Sequence, residues 1–292
     1  MNESAMPGAD AAIRHAASLW GLSGTGAPTT FSTNGVVRRF GNCWLKGRKD
    51  RRQCEREIAA MGFLRADSRV HVPRLVPNAR GDSLACTGGT CWFVEESLCG
   101  VHPDADDGTA YQEAAAAVGR LHAALEHLAG EGIPCSTLAQ IHAALEIGRP
   151  EPILRSTGEL IAHRLRDIGG WETQVIHGDL SHPNLLVAPD GQYGFIDFEF
   201  LARDAREFDV AILVITALCR SHLSDDAKAA AVQGISEAAG LPAERLLLAA
   251  VAKRWLAAIS NLAFPGGPSR AALSVQLAHL EILHSWLGRA GR

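Results

Sequence analysis

Val175-Ile176-His177-Gly178-Asp179-Leu180-Ser181-His182-Pro183-Asn184-Leu185-Leu186-Val187, continuing Ala188-Pro189-Asp190-Gly191-Gln192-Tyr193 and Gly194-Phe195-Ile196-Asp197-Phe198-Glu199, is the stretch that decides the fold. Two apolar segments, Leu185–Val187 and Gly194–Ile196, enclose a Pro-Asp-Gly turn and read as a β-hairpin. Centring the hairpin between Asp190 and Gly191 sets Asn184 opposite Asp197, with Cβ atoms about 5 Å apart. A looser turn shifts this pairing by one residue. In either register an amide and a carboxylate meet at the open end of the hairpin, and Asp179 lies on the loop that enters it.

Two oxygen donors at that spacing suit Mg²⁺, which takes few protein ligands and completes its octahedron with waters and substrate phosphates. A third carboxylate within reach can orient a hydroxyl nucleophile. Phosphoryl transfer uses that division of labour, because its catalysis is mostly positioning and charge neutralisation.

His177 to Asn184 resembles the H-G-D-x-x-x-x-N motif of the aminoglycoside phosphotransferase and choline kinase superfamily, and Ile196-Asp197-Phe198-Glu199 resembles its I-D-x-E/D metal motif. The resemblance covers residues 30–215 by motif and the helical remainder by class. It implies an α+β, bilobal, protein-kinase-like fold with a small β-rich N-terminal nucleotide-binding lobe, 1–97, and a large, mainly helical catalytic and substrate-binding lobe, 98–292. It implies Asp179 as the carboxylate that takes or orients the acceptor's proton, with Asn184 and Asp197 holding Mg²⁺ on the phosphates of ATP. His177 is expected to brace the loop. His182 is a loop residue within reach of substrate. Glu199 lies either near a second metal position or against the substrate. Asp209, in Glu207-Phe208-Asp209-Val210-Ala211, resembles the family position that supports the catalytic loop, and helix capping is compatible with that role.

Outward from the hairpin, Val36–Phe40 and Cys43–Lys46 flank Gly41-Asn42 and read as a second hairpin. Asp50–Arg65 follows with Cys54, Ile58, Met61 and Leu64 at helical spacing. The resemblance then makes Lys46, one of four lysines in the chain, the phosphate-binding lysine and Glu57 the helix glutamate that holds it. Ser32-Thr33-Asn34-Gly35 resembles the family's Ser-x-Asn phosphate loop. Phe93–Gly100 resembles the lobe connector, whose backbone at Glu95 and Ser97 would bond a purine edge. From residue 109 helices dominate, at about 109–128, 137–147, 152–168, 205–221, 225–239, 242–263 and 269–287, and a Thr109/Gln112 capping box is expected to open the first of these.

Composition bounds the partners. The chain has 292 residues, 47% hydrophobic and 21% charged, and a net charge of −4. The one basic run, Arg48–Arg52, reads as a solvated helix start, so no nucleic-acid partner is indicated. No run approaches the ~18 apolar residues of a membrane span. The Met-Asn-Glu-Ser start is not that of a signal peptide. Seven scattered cysteines, Cys43, Cys54, Cys86, Cys91, Cys99, Cys135 and Cys219, lack CxxC spacing and read as reduced thiols in a cytoplasmic monomer or homodimer.

The acceptor pocket is expected to draw on Glu199, Arg203, Asp204, Arg206, Arg254, Trp255 and Asn261. Acidic and basic residues alternate at Arg203, Asp204, Arg206 and Glu207, unlike a pocket for a polycation. The expected reaction is ATP-dependent phosphorylation of a small-molecule hydroxyl, with an antibiotic as the first acceptor class and a sugar, amino acid or amino alcohol as the second. A non-catalytic nucleotide-binding regulator is the reading of another class, and intact Asp179, Asn184, Asp197 and Lys46 weigh against it. The absence of H-R-D and D-F-G weighs against a protein kinase.

Overall fold

A computed structural model describes residues 7–29, 35–129, 132–134, 137–146, 152–167, 171–263 and 270–290. The chain divides into two compact units: Met1–Val101 with Leu186–Glu199, and His102–Leu185 with Phe200–Arg292. The first break falls four residues beyond the expected position at 97, and the hairpin segment 186–199 belongs with the N-terminal unit.

The first unit opens with α1 (Pro7–Leu19), then β1 (Ala27–Pro28), β2 (Val36–Phe40), β3 (Cys43–Arg48), α2 (Arg51–Leu64), β4 (Leu75–Val76), β5 (Ala85–Thr87) and β6 (Thr90–Glu96). The antiparallel sheet runs β1-β2-β3-β6-β4, with β5 also on β6. Side chains alternate across a strand, so β3 and β6 present two unlike faces. Leu45, Trp92 and Val94 face α1 and pack on Ile13, Ala16 and Ala17. Gly47 lies on this face because the ring of Trp92 crosses it: a Cβ there would come within 2.6 Å of the indole. Lys46 and Glu95 turn to the opposite face.

α2 begins at Asp50, whose carboxylate accepts from the Arg52 N–H at 2.9 Å. Cys54, Glu57, Ala60, Met61 and Leu64 form its buried stripe. Arg51 and Arg52 are exposed, as a helix terminus should be, but Arg48 is the last residue of β3 and is 1% exposed. The basic run is therefore split between a solvated helix start and a buried strand end. Cys86 and Cys91 oppose each other in the β5–β6 register and are joined by a disulfide, correcting the expectation that all thiols are reduced. The Thr87–Thr90 turn creates that opposition, which CxxC spacing does not detect. Cys43, Cys54, Cys99 and Cys219 are free.

In the second unit, α3 (Gly108–Leu125), α4 (Thr137–Leu145), α5 (Pro152–Asp167), α6 (Glu207–Cys219), α7 (Asp225–Ala239), α8 (Ala243–Ala263) and α9 (Arg270–Ala290) hold the apolar mass. The cap of α3 is Asp107, which accepts from the Thr109 N–H at 2.8 Å, so the helix starts just before the expected Thr109 box. α6 is buried almost all round and packs against α3, α7, α8 and α9. β7 (Thr173–Ile176) pairs antiparallel with β10 (Ala202–Ala205), bringing Ile176 opposite Ala202.

β8 (Leu185–Val187) and β9 (Tyr193–Phe195) form the expected hairpin. Its turn closes with Ala188 N–H donating to Gln192 O at 2.8 Å and Gly191 N–H to Ala188 O at 2.9 Å. That is the looser of the two registers considered from sequence.

Candidate active site

In the second unit β7 runs straight into His177-Gly178-Asp179. Gly178 has a φ of +87°, and a Cβ there would overlap the Phe200 carbonyl oxygen, so both conformation and space demand glycine. The loop is pinned from α6 by Asp209. Its Oδ1 accepts the Gly178 N–H at 2.8 Å and its Oδ2 accepts the His177 N–H at 2.9 Å, with His122 Nε2 3.0 Å from Oδ2. Asp209 and His177 are fully buried. Burial alone would raise the Asp209 pKa; the hydrogen bond and charge of His122, with His177 and Lys253, outweigh it and hold the carboxyl below its usual range.

Asp179 follows with its carboxylate held at both oxygens: Ser181 N–H donates to Oδ1 at 3.3 Å and Asn184 Nδ2 to Oδ2 at 3.2 Å. Asn184 Nδ2 also donates to Asp179 O at 2.9 Å, so the amide nitrogen serves the loop, and the amide oxygen is the atom that could face a metal. Lys253, from α8, donates to Gly178 O at 3.1 Å. Burial lowers its pKa against the opposing pull of Asp209, Asp179 and Asp204.

The charged face of the first unit carries a different cluster. Lys46 Nζ lies 2.9 Å from Glu95 Oε1 and 3.1 Å from Asp197 Oδ1. Arg48 places Nε 3.2 Å from Glu57 Oε1, and Nη2 3.0 Å from Glu199 Oε2 and 3.4 Å from Asp197 Oδ1. Asp197 is the non-glycine residue with positive φ, 65°, among those described, a left-handed conformation that aspartate enters more readily than most side chains. Burial would lower the Lys46 pKa, but Glu95, Asp197 and Glu57 raise it and keep the ammonium charged. Burial pushes the Glu57 carboxyl up to about 7 against the pull of Arg48 and Lys46.

Residues 38–252 match the APH family model, described as the phosphotransferase enzyme family. The chain belongs to that family. Its relatives include a homoserine kinase of Nitrobacter hamburgensis, 28% identical over 195 residues, which are 61% of this chain and 56% of that one. The match thus spans little more than half the length of that curated relative. Among solved structures, a microcompartment-associated aminopropanol kinase aligns at a TM-score of 0.71 and 19% identity, covering 96% of this chain and 98% of its own. An aminoglycoside phosphotransferase from Streptomyces rimosus, solved with ADP and streptomycin, aligns at a TM-score of 0.52 and 19% identity, covering 88% and 91%. These show the fold, that of the protein-kinase-like phosphotransferases.

The structure sorts the expected site residues. Asp179 and Asn184 are brought together, and Lys46 meets Asp197. Glu57 pairs with Arg48 instead of Lys46, because Lys46 and Glu95 share a diagonal across the β3–β6 ladder at 2.9 Å. Glu95 lies inside β6 opposite Leu75 and uses its side chain, and the Ser97 N–H donates to Asn42 O at 2.8 Å, so that group is not open to a purine edge. Ser32, Thr33 and Asn34 lie outside the described residues. His182 Nε2 lies 2.9 Å from Pro103 O, its ring is tilted against that of His102 with centroids 4.9 Å apart, and it lines a small, mostly apolar cavity with Tyr111, Leu180 and Leu213.

Three expected substrate contacts become structural. Glu199 is held by Arg48. Asp204 is fully buried and accepts the Thr137 N–H at 2.6 Å. Trp255 is fully buried and donates to Leu154 O at 2.8 Å. Arg48, His122 and Lys253 escaped the sequence reading, and Glu95 was expected to act through its backbone, not its side chain. Of these, Arg48 carries a signal, a charge two residues from Lys46 on an otherwise apolar strand.

Proposed function

We propose that this phosphotransferase moves the γ-phosphoryl group of ATP, as its Mg²⁺ complex, to the hydroxyl of a small metabolite that is not a polycation, such as an amino acid or amino alcohol. The observation that carries the reaction is Asp179 on a loop fixed at both His177 and Gly178 by one buried carboxylate. Asp179 would accept the hydroxyl proton as the acceptor oxygen bonds to phosphorus and the bond from phosphorus to the β-phosphate oxygen breaks, releasing ADP. Lys46 would neutralise phosphate oxygens. Asn184 and Asp197 would each supply a hard oxygen donor of the kind Mg²⁺ takes, and that ion's charge would offset that of the phosphates. ATP supply places the reaction in the cytoplasm. No helix among the described residues is long and apolar enough to cross a membrane.

The acceptor class rests on charge. A polycation needs open carboxylates, yet Asp204 is engaged by Thr137, Asp209 by the loop, and Glu207 by Arg245 at 2.5 Å. Lys253 instead adds a positive charge next to Asp179. Homoserine and aminopropanol kinases among the similar proteins support this reading. An antibiotic acceptor is the second reading, supported by the streptomycin-bound relative.

The test is to incubate the protein with Mg·ATP and homoserine, aminopropanol, choline, simple sugars and aminoglycosides, reading ADP release and product mass. Phosphorylation of a small acceptor with at most one positive charge, such as homoserine or aminopropanol, is expected. Preference for a polycationic aminoglycoside would overturn the acceptor class, and no ATP-dependent transfer to any hydroxyl would overturn the reaction.

A further inference from the structure

Arg48 occupies an unusual place for a guanidinium. It and Glu57 are each 1% exposed, and Arg48 reaches three carboxylates, Glu57 at 3.2 Å, Glu199 at 3.0 Å and Asp197 at 3.4 Å. Its planar fork does what a lysine cannot: Nε points to α2 while Nη2 holds two carboxylates of the 186–199 segment. Asp197 Oδ1 is in turn shared with Lys46 at 3.1 Å. The lysine's close, buried partner is Glu95. The charges are thus distributed as two crossed pairs, Lys46 with Glu95 and Arg48 with Glu57, meeting at Asp197.

We propose that Arg48 is a positioning residue for the metal-binding carboxylate Asp197, and that Glu57 acts through Arg48 while Glu95 acts through Lys46. This rests on the phosphotransfer reading above, in which Asp197 holds Mg²⁺. Arg48 fixes the Asp197 carboxylate against the positive φ of its backbone, with Glu199 completing the brace. Glu57 orients the guanidinium from α2. Residues that support a metal ligand in this way tune metal affinity rather than nucleotide affinity.

The experiment measures binding of ATP by calorimetry, with and without Mg²⁺, for wild type, Arg48→Lys, Glu57→Gln, Lys46→Met and Glu95→Gln, with thermal unfolding alongside. Arg48→Lys and Glu57→Gln should each raise the Mg²⁺ concentration needed for half-maximal binding by ~10-fold, and leave metal-free ATP affinity within about twofold. Their double variant should be no worse than the poorer single, because contacting residues couple. Lys46→Met and Glu95→Gln should weaken ATP binding with or without metal, again without adding, while Glu57→Gln should add fully to Lys46→Met.

Strong coupling of Glu57 to Lys46 with simple addition to Arg48 would overturn the assignment. So would an Arg48→Lys variant that loses thermal stability alone and keeps its Mg²⁺ requirement. If Arg48→Lys does not fold, Glu57→Gln carries the test, since its defect must then lie in the Mg²⁺ requirement. A wild type that binds no Mg·ATP would fail the phosphotransfer reading itself, which separates that failure from a misassigned Arg48.

Discussion

Two buried charge clusters, one in each unit, are built on opposite plans. Around Asp209, donors are aimed at one carboxylate: two backbone N–H groups and an imidazole, with Lys253 held at Gly178 O. Around Asp197 four carboxylates, Glu57, Glu95, Asp197 and Glu199, meet two cations, Lys46 and Arg48. There Arg48 Nη1, Glu57 Oε2, Glu95 Oε2 and Glu199 Oε1 are buried without a hydrogen-bond partner among the described residues. Fully satisfied polar networks rigidify a fold, and a partly satisfied one leaves buried groups whose pairing is incomplete. The Asp209 cluster holds a loop, and the Asp197 cluster is the one proposed to take part in binding.

Breaking the satisfied cluster should have the largest effect on stability. Asp209→Ala strands two backbone N–H groups and His122, and should cost about 3–5 kcal/mol, read by chemical denaturation. A loss below about 1 kcal/mol would show that the network is dispensable. Gly178→Ala comes next. It forces the backbone away from Phe200 O and should lower turnover ~100-fold with a smaller change in unfolding midpoint. Equal losses in both would make the glycine a stability residue.

The two clusters should also respond oppositely to pH. The folded Glu57 holds its proton up to about 7, so its contribution to stability is complete below about pH 4.5 and is lost as pH rises through 7. The Asp209 carboxyl is held below its usual range, so its contribution is present above the unfolded-state pKa and is lost as pH falls. Glu57→Gln should flatten the stability profile between about pH 4.5 and 7, and an unchanged slope there would contradict the burial argument.

The smallest effect belongs to His279 on α9. Burial, with Arg254 and Arg220, lowers its pKa to about 4. Its neutral form is the folded one, so stability should decline as pH falls from about 6.5 toward 4. His279→Gln should remove that decline in thermal melts, and its persistence would place the titration elsewhere.

Much of this was legible in the chain because periodicity and motif agreed. The helices from 137 onward lie within a few residues of their expected bounds, and the 185–195 hairpin and Asp179–Asn184 loop stand where their turn chemistry put them. What was missed has separate causes. α1 is alanine-rich, and its buried stripe of Ile13, Ala16 and Ala17 is too slight to register as a pattern. His122 and Lys253 sit on helices far from the motif in sequence, so only tertiary packing brings them to Asp209 and Gly178. Arg48 read as surface because it adjoins the exposed Arg51 and Arg52, although strand alternation places it on the face of Lys46. The disulfide depended on the register of β5 with β6, which no spacing rule supplied.

The central claim is tested most directly by transfer itself. Wild type and Asp179→Ala are incubated in parallel with Mg·ATP and the acceptor panel, and product is read by mass. Wild type should yield an acceptor heavier by one phosphoryl group. Asp179→Ala should lower the rate by ~10²–10⁴-fold, at unchanged ATP affinity. Near-normal transfer by Asp179→Ala, or tight Mg·ATP binding by wild type with no phosphorylated acceptor, would contradict the claim.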